Sequence, residues 1–148
     1  MFSQTTEYAL RAMVVLSLHP EQLVSAVFIA ERAQVPPNYL AKVLQQLSST
    51  TLVSGRRGVG GGYKLTRPSN EIYLIDIVKA VGAVDRIKHC PLDPKSTHLC
   101  ALHHVMDLAL SRAITTLESI SLDTLLHQGL GDGRPLCGSA VSTVAAFD

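Results

Sequence analysis

The sequence has no tryptophan, only 5% aromatic residues and three cysteines, Cys90, Cys100 and Cys137. Three thiols are too few for a secreted disulfide scaffold, so they read as metal ligands, redox groups or core positions in a reducing compartment. No apolar run reaches the roughly 18 to 20 residues that cross a bilayer. The polar start, Met1-Phe-Ser-Gln-Thr-Thr-Glu7, lacks the basic segment and cleavage site of a signal peptide. A cytoplasmic protein with no membrane partner is expected. No Ser/His/Asp set, paired-carboxylate pattern or zinc-hydrolase motif is present, so an enzyme is not expected.

The most telling absence is of acid. Between Arg32 and Asn70 there is no Asp or Glu, although Arg32, Lys42, Arg56, Arg57, Lys64 and Arg67 all fall there. That is a local charge of +6 in a chain whose formal net charge is +1. Such segregation points to a polyanion, and a DNA duplex is the first choice.

What is present fits one compact domain, or a small domain with an added dimerisation element, at 148 residues, 47% hydrophobic and 17% charged. Thr5 or Thr6 can cap a first helix carrying Tyr8, Leu10, Met13, Val14, Leu16 and Leu18, which His19-Pro20 stops. Ser25 precedes a short second helix, and Gln34-Val35-Pro36 makes a tight turn. Pro37 suits the first turn of a third helix, where its missing N–H has no helical partner to lose.

The third helix sets Leu40, Val43, Leu44 and Leu47 on one face and Asn38, Lys42, Gln45 and Ser49 on the other, with Tyr39 and Gln46 at the margins. Two short helices joined by a tight turn match a helix-turn-helix, and Asn and Gln amides can bond base edges in a major groove. By spacing alone the same face equally suits any solvated amphipathic helix. Leu52-Val53-Ser54 then reads as a strand, Arg56 to Gly62 as a glycine-rich loop, and Tyr63 to Thr66 as a returning strand. A hairpin after a helix-turn-helix is the order of a winged helix. Arg56, Arg57 and Lys64 can meet phosphates, while Gly60 and its neighbours let the backbone approach closely. A nucleotide phosphate loop is excluded, because Lys64 follows Tyr63 and precedes Leu65 instead of opening a helix with Ser or Thr.

Thr6-Glu-Tyr-Ala-Leu-Arg-Ala-Met13, Ile29-Ala-Glu-Arg32, Tyr39-Leu-Ala-Lys-Val-Leu-Gln-Gln-Leu47 and Arg57-Gly-Val-Gly-Gly-Gly-Tyr-Lys-Leu65 together resemble the Rrf2 family of bacterial transcription regulators, over roughly residues 1 to 126. The resemblance implies a mainly α fold with a small β-hairpin wing and a long C-terminal dimerisation helix. It implies a homodimer that binds a double-stranded DNA operator, a repressor by expectation, answering to iron-sulfur status, nitric oxide, redox state or a metabolite. Residues 1–84 form the expected winged helix-turn-helix, 85–104 a Cys/His sensor loop, 105–128 the dimerisation helix region and 129–148 a flexible tail. Expected DNA contacts are Ser25, Pro37, Asn38, Tyr39, Lys42, Gln45, Gln46, Arg56, Arg57, Gly60 and Lys64.

The second half carries its own signals. Ile72-Tyr-Leu74 can add a short strand, and Ile75 to Val81 a helix ending at Gly82. After Cys100, Leu102, Met106, Ala109, Ala113, Leu117 and Ile120 recur at spacings of three and four, a stripe suited to a second copy or to its own domain. Before it, Cys90, His98, Cys100, His103 and His104 fall within fifteen residues. Thiolate and imidazole hold zinc or iron-sulfur clusters. Cluster-binding relatives place three cysteines in this loop and can take a fourth ligand from a histidine or from an acid of the partner's first helix. This chain lacks the middle cysteine, Ser96 and His98 lying nearest, and has Glu7 in the place of the acid. The expected ligands are therefore Cys90 and Cys100 with His98, His103 or Glu7, for a [2Fe-2S] cluster. Zinc, a thiol redox pair or no cofactor are the alternatives. The second functional reading is a winged-helix protein-interaction or thiol/zinc sensor module without an iron-sulfur cluster.

Overall fold

A computed structural model describes residues 2–127, so the expected tail and Cys137 lie outside the described residues. The fold is mainly helical with one two-stranded antiparallel hairpin. In chain order come α1 (Gln4–Ser17), α2 (Ala26–Ala33), α3 (Pro37–Ser49), β1 (Val53–Arg56), β2 (Gly62–Leu65), a 3-10 turn at Ser69–Glu71, α4 (Leu74–Val81), α5 (Ala101–Glu118) and α6 (Leu122–His127).

Helix α1 is the centre of the molecule because it is apolar on nearly every side beyond its first turn. Ala9, Ala12, Met13, Val15 and Leu16 are buried, and α2, α3, α4, α6 and β2 pack around it. Its cap is Ser3, not Thr5 or Thr6: the Ser3 hydroxyl accepts the Thr6 N–H at 3.1 Å, and Thr6 is itself buried inside the first turn.

Ser25 caps α2 as expected, accepting the Phe28 N–H at 3.2 Å. The helix ends on Gln34, which takes a left-handed conformation (φ 52°) while Gln34 and Val35 donate to the carbonyls of Glu31 and Ala30. Pro37 starts α3, and Leu40, Val43, Leu44 and Leu47 are buried. Each such side chain contributes about 1.5–3 kcal/mol by leaving water.

The hairpin pairs Val53 with Leu65, Ser54 with Lys64, Gly55 with Tyr63 and Arg56 with Gly62. Val24 joins it as a single bridge, exchanging two hydrogen bonds of 2.8 Å with Tyr63. Gly62 makes this possible: a Cβ there would stand 2.5 Å from the Val24 carbonyl oxygen.

The strand expected at Ile72–Leu74 does not form. Tyr73 bridges Ser121 alone, and its N–H goes to Asp76 Oδ2 at 3.1 Å, so α4 begins at once. A second, smaller cluster of Ile75 and Val78 from α4 and Leu117 from α5, flanked by Leu10, Leu74, Val84 and Ile114, seats α5 on the body. Of the expected stripe, Leu117 is spent there, whereas Leu102 and Met106 are exposed beside Val105 and Leu108. Helix α5 also opens earlier than residue 105. Cys100 is its N-cap, with the His104 N–H on the Cys100 carbonyl at 2.8 Å, so His103 and His104 belong to the first turn of a helix and not to a loop.

Candidate nucleic-acid interface and thiol-imidazole cluster

The polar face of α3 is fully presented. Asn38, Tyr39, Lys42, Gln45 and Gln46 are all exposed, as is Pro37. The N-terminus of α3 carries no side-chain cap and no acid in its first turn, a combination that favours an anion. Ser25 stands at the N-terminus of α2, its oxygen engaged as the cap and its hydroxyl proton left to donate.

Tyr39 packs against the central helix. Its ring is half-exposed and meets Tyr8 of α1 edge-on, with centroids 6.0 Å apart. Arg11 lies over the other ring at 5.9 Å, forms an i,i+4 ion pair with Glu7, and donates to the Gln34 carbonyl in the turn at 3.5 Å. Sequence reasoning assigned nothing to Arg11, although its i,i+4 spacing from Glu7 was the available signal.

On the wing, the two arginines divide the work. Arg56 Nη2 donates to the Gly60 carbonyl at 2.8 Å, so it braces the loop from beneath. Gly60 has φ 69°, which a side chain would strain, and Gly61 closes the turn by donating to the Gly58 carbonyl at 3.0 Å. Arg57 is exposed with no such internal bond, and Val59 is fully exposed at the tip. Lys64, on β2, is half-buried. Among the described residues no ion pair involves Lys42, Arg56, Arg57 or Lys64, whereas Arg67 sits 3.9 Å from Asp76. The excess of positive charge read from the sequence is thus concentrated on α3 and the wing.

The second assembly lies between α4 and α5. Cys90, Cys100 and His103 place their ligand atoms within 4.8 Å of one another. His103 Nδ1 is 3.1 Å from Cys100 Sγ and 3.6 Å from Cys90 Sγ. Cys90 is buried and Cys100 exposed. The Cys90 thiol is brought down to about 7, first by the backbone N–H of Cys100 and then by those of Leu92 and Asp93, against the upward push of burial. His98 is outside this group, its backbone N–H and carbonyl tied to Ser96. Glu7 is outside it as well, paired with Arg11.

These donors fit a soft metal. Around a tetrahedral ion with metal–sulfur bonds of about 2.3 Å and metal–nitrogen bonds of about 2.0 Å, neighbouring donors stand roughly 3.5–3.8 Å apart. His103 Nδ1 stands at that spacing from Cys90 Sγ, 3.6 Å, and somewhat nearer to Cys100 Sγ, 3.1 Å. Three donors leave one position of a tetrahedral ion open, and a [2Fe-2S] cluster takes four protein ligands, so a further donor must come from elsewhere.

A helix-turn-helix followed by a cationic hairpin defines a winged-helix DNA-binding protein. The chain belongs to the Rrf2 family, described as iron-dependent transcriptional regulators, whose sequence profile it matches over residues 2–128. It is 33% identical over 125 residues to the HTH-type transcriptional regulator BadM of Rhodopseudomonas palustris, covering 83% of this chain and 79% of that one. It is 32% identical over 130 residues to the HTH-type transcriptional regulator NsrR of Oceanobacillus iheyensis, covering 82% and 86%. Among solved structures it is similar to T. potens IscR, with a TM-score of 0.73, 25% identity and 93% of each chain covered. Rrf2 proteins are DNA-binding transcription regulators and not enzymes. No helix among the described residues is long and apolar enough to cross a membrane.

Proposed function

We propose that this regulator works as a homodimeric, operator-specific repressor, with the α3 face reading base edges and the wing holding phosphates. The observation that carries the reading is the set of cations, Lys42, Arg56, Arg57 and Lys64, that form no ion pair among the described residues, on a surface whose local sequence has no acid. Asn38, Gln45 and Gln46 supply amide donors and acceptors for bases, and Tyr39, Ser25 and Pro37 line the approach. Gly60 lets the wing turn. The exposed Leu102, Val105 and Met106 of α5 suit a second copy of the chain, since two heads are needed to span successive grooves of a near-palindromic site. Selection from a random duplex library should enrich one near-palindromic sequence. Enrichment of none would overturn operator specificity.

The Cys90, Cys100 and His103 group is, in the same reading, the sensor. It would hold an iron-sulfur cluster or a single soft ion, with the remaining donor taken from Glu7 of a second copy or from His98. A bound cluster would make operator affinity answer to iron or redox state. Anaerobically purified protein should carry iron with a visible charge-transfer spectrum, and its operator affinity should change when the iron is removed. Colourless, iron-free protein from anaerobic expression would leave zinc or a thiol pair as the sensor.

A further inference from the structure

Asp107 is only 8% exposed, yet it is a carboxylate held by three donors. Arg86 Nε donates to its Oδ1 at 2.6 Å, Arg86 Nη2 to its Oδ2 at 2.5 Å, and the Ile87 N–H to Oδ1 at 2.9 Å. Arg86 Nη1 also donates to Ser111 Oγ at 3.0 Å. A two-pronged guanidinium on a carboxylate fixes direction as well as distance. Its place matters more than its strength. Arg86 and Ile87 immediately precede the segment that delivers Cys90, and Asp107 lies one helical turn beyond His103, on the same side of α5. Between α4 and α5 there is no helix or strand to set where Cys90 lands.

We infer that Arg86 and Asp107 are positioning residues of the thiol-imidazole site: their clasp pins the connector to α5 so that Cys90 meets Cys100 and His103. The inference rests on the proposed sensor site, and its test separates the two. With Cys137→Ser in the full chain, Cys90 and Cys100 are the remaining thiols.

The first probe is cobalt(II), titrated anaerobically and followed by its thiolate charge-transfer band. Asp107→Asn should bind it about 10- to 100-fold more weakly, as loss of a supporting partner does, with the band position unchanged because the donors are the same. The second probe needs no metal. In chelator, the two thiols react with oxidised glutathione to give an intrachain disulfide and two reduced glutathiones, and the equilibrium measures how closely the thiols are held. Asp107→Asn should shift it about tenfold toward the dithiol. Arg86→Gln should do the same and Arg86→Lys less, while helix content stays unchanged by circular dichroism. Arg86→Gln, on a half-exposed side chain, replaces Asp107→Asn if the latter fails to fold. A disulfide equilibrium unaffected by these variants overturns the clasp, whatever cobalt does. Failure of the parent protein to bind cobalt, with the disulfide shift still present, overturns the metal site and leaves the clasp standing.

Discussion

Tyr39 of α3 stands edge-on to Tyr8 of α1, its ring plane at 62° to that of its neighbour, so the helix proposed to enter the groove is braced from behind by the central helix. An aromatic pair of this kind is worth about 0.5–1.5 kcal/mol beyond the area it buries. Tyr39→Ala should therefore lower unfolding stability in urea by about 1 kcal/mol or more, and Tyr39→Phe should leave it unchanged. If Tyr39→Phe still weakens operator binding, the hydroxyl touches DNA. If it does not, the ring acts as a brace.

The wing arginines should behave differently. Arg57→Ala removes an exposed cation and should weaken binding to all duplexes, reducing the slope of log affinity against log salt by about 0.9. Arg56→Ala releases the Gly60 carbonyl and should accelerate hydrogen exchange at the Gly61 amide, which Arg57→Ala should not do. Equal exchange in the two variants would remove the distinction between brace and contact.

Gln34 ends α2 in a left-handed conformation that costs a side chain about 1 kcal/mol. Gln34→Gly should stabilise the fold by about 0.5 kcal/mol after its added unfolded-state entropy is subtracted. A rise of a few degrees in thermal midpoint checks this, and a fall would show that the Gln34 side chain supports the turn in another way.

Acid should loosen α5 from the connector. Asp107 is held below the usual carboxylate range by its hydrogen bond from Arg86, then by the Ile87 N–H and the nearby positive charge, against the opposing effect of burial. Because its folded pKa lies below the unfolded value of about 3.9, its stabilisation is complete above that value and lost as pH falls through the folded one. Urea midpoints followed from pH 6 downwards should fall less steeply below pH 4 in Asp107→Asn than in the parent.

Much of this arrangement was written locally. The Ser25 cap, the Pro37 start, the Leu40–Leu47 face and the hairpin each depend on residues within a turn or two, where periodicity and capping chemistry act. The contacts that tie elements together were not legible. Arg11 reaches Gln34 across 23 residues and Arg86 reaches Asp107 across 21, distances over which no pattern in one sequence pairs a donor with its acceptor. The sequence left His98 and His103 as open alternatives for a subtler reason. Once Cys100 caps α5, a residue three positions on lies beside it, and that residue is His103 and not His98.

Val24 and Tyr63 exchange both of their backbone hydrogen bonds, and the next residue, Ser25, caps α2. The wing is thus stitched to the start of the helix-turn-helix by two backbone hydrogen bonds. On the proposed interface, the interval between the groove that receives α3 and the phosphates under Arg57 becomes a length standard built from peptide bonds. One base pair inserted within that interval would displace a contact by roughly 3.4 Å, more than a hydrogen bond tolerates. The regulator would gauge its operators by calliper as well as by base edge, rejecting a site of correct letters and wrong pitch.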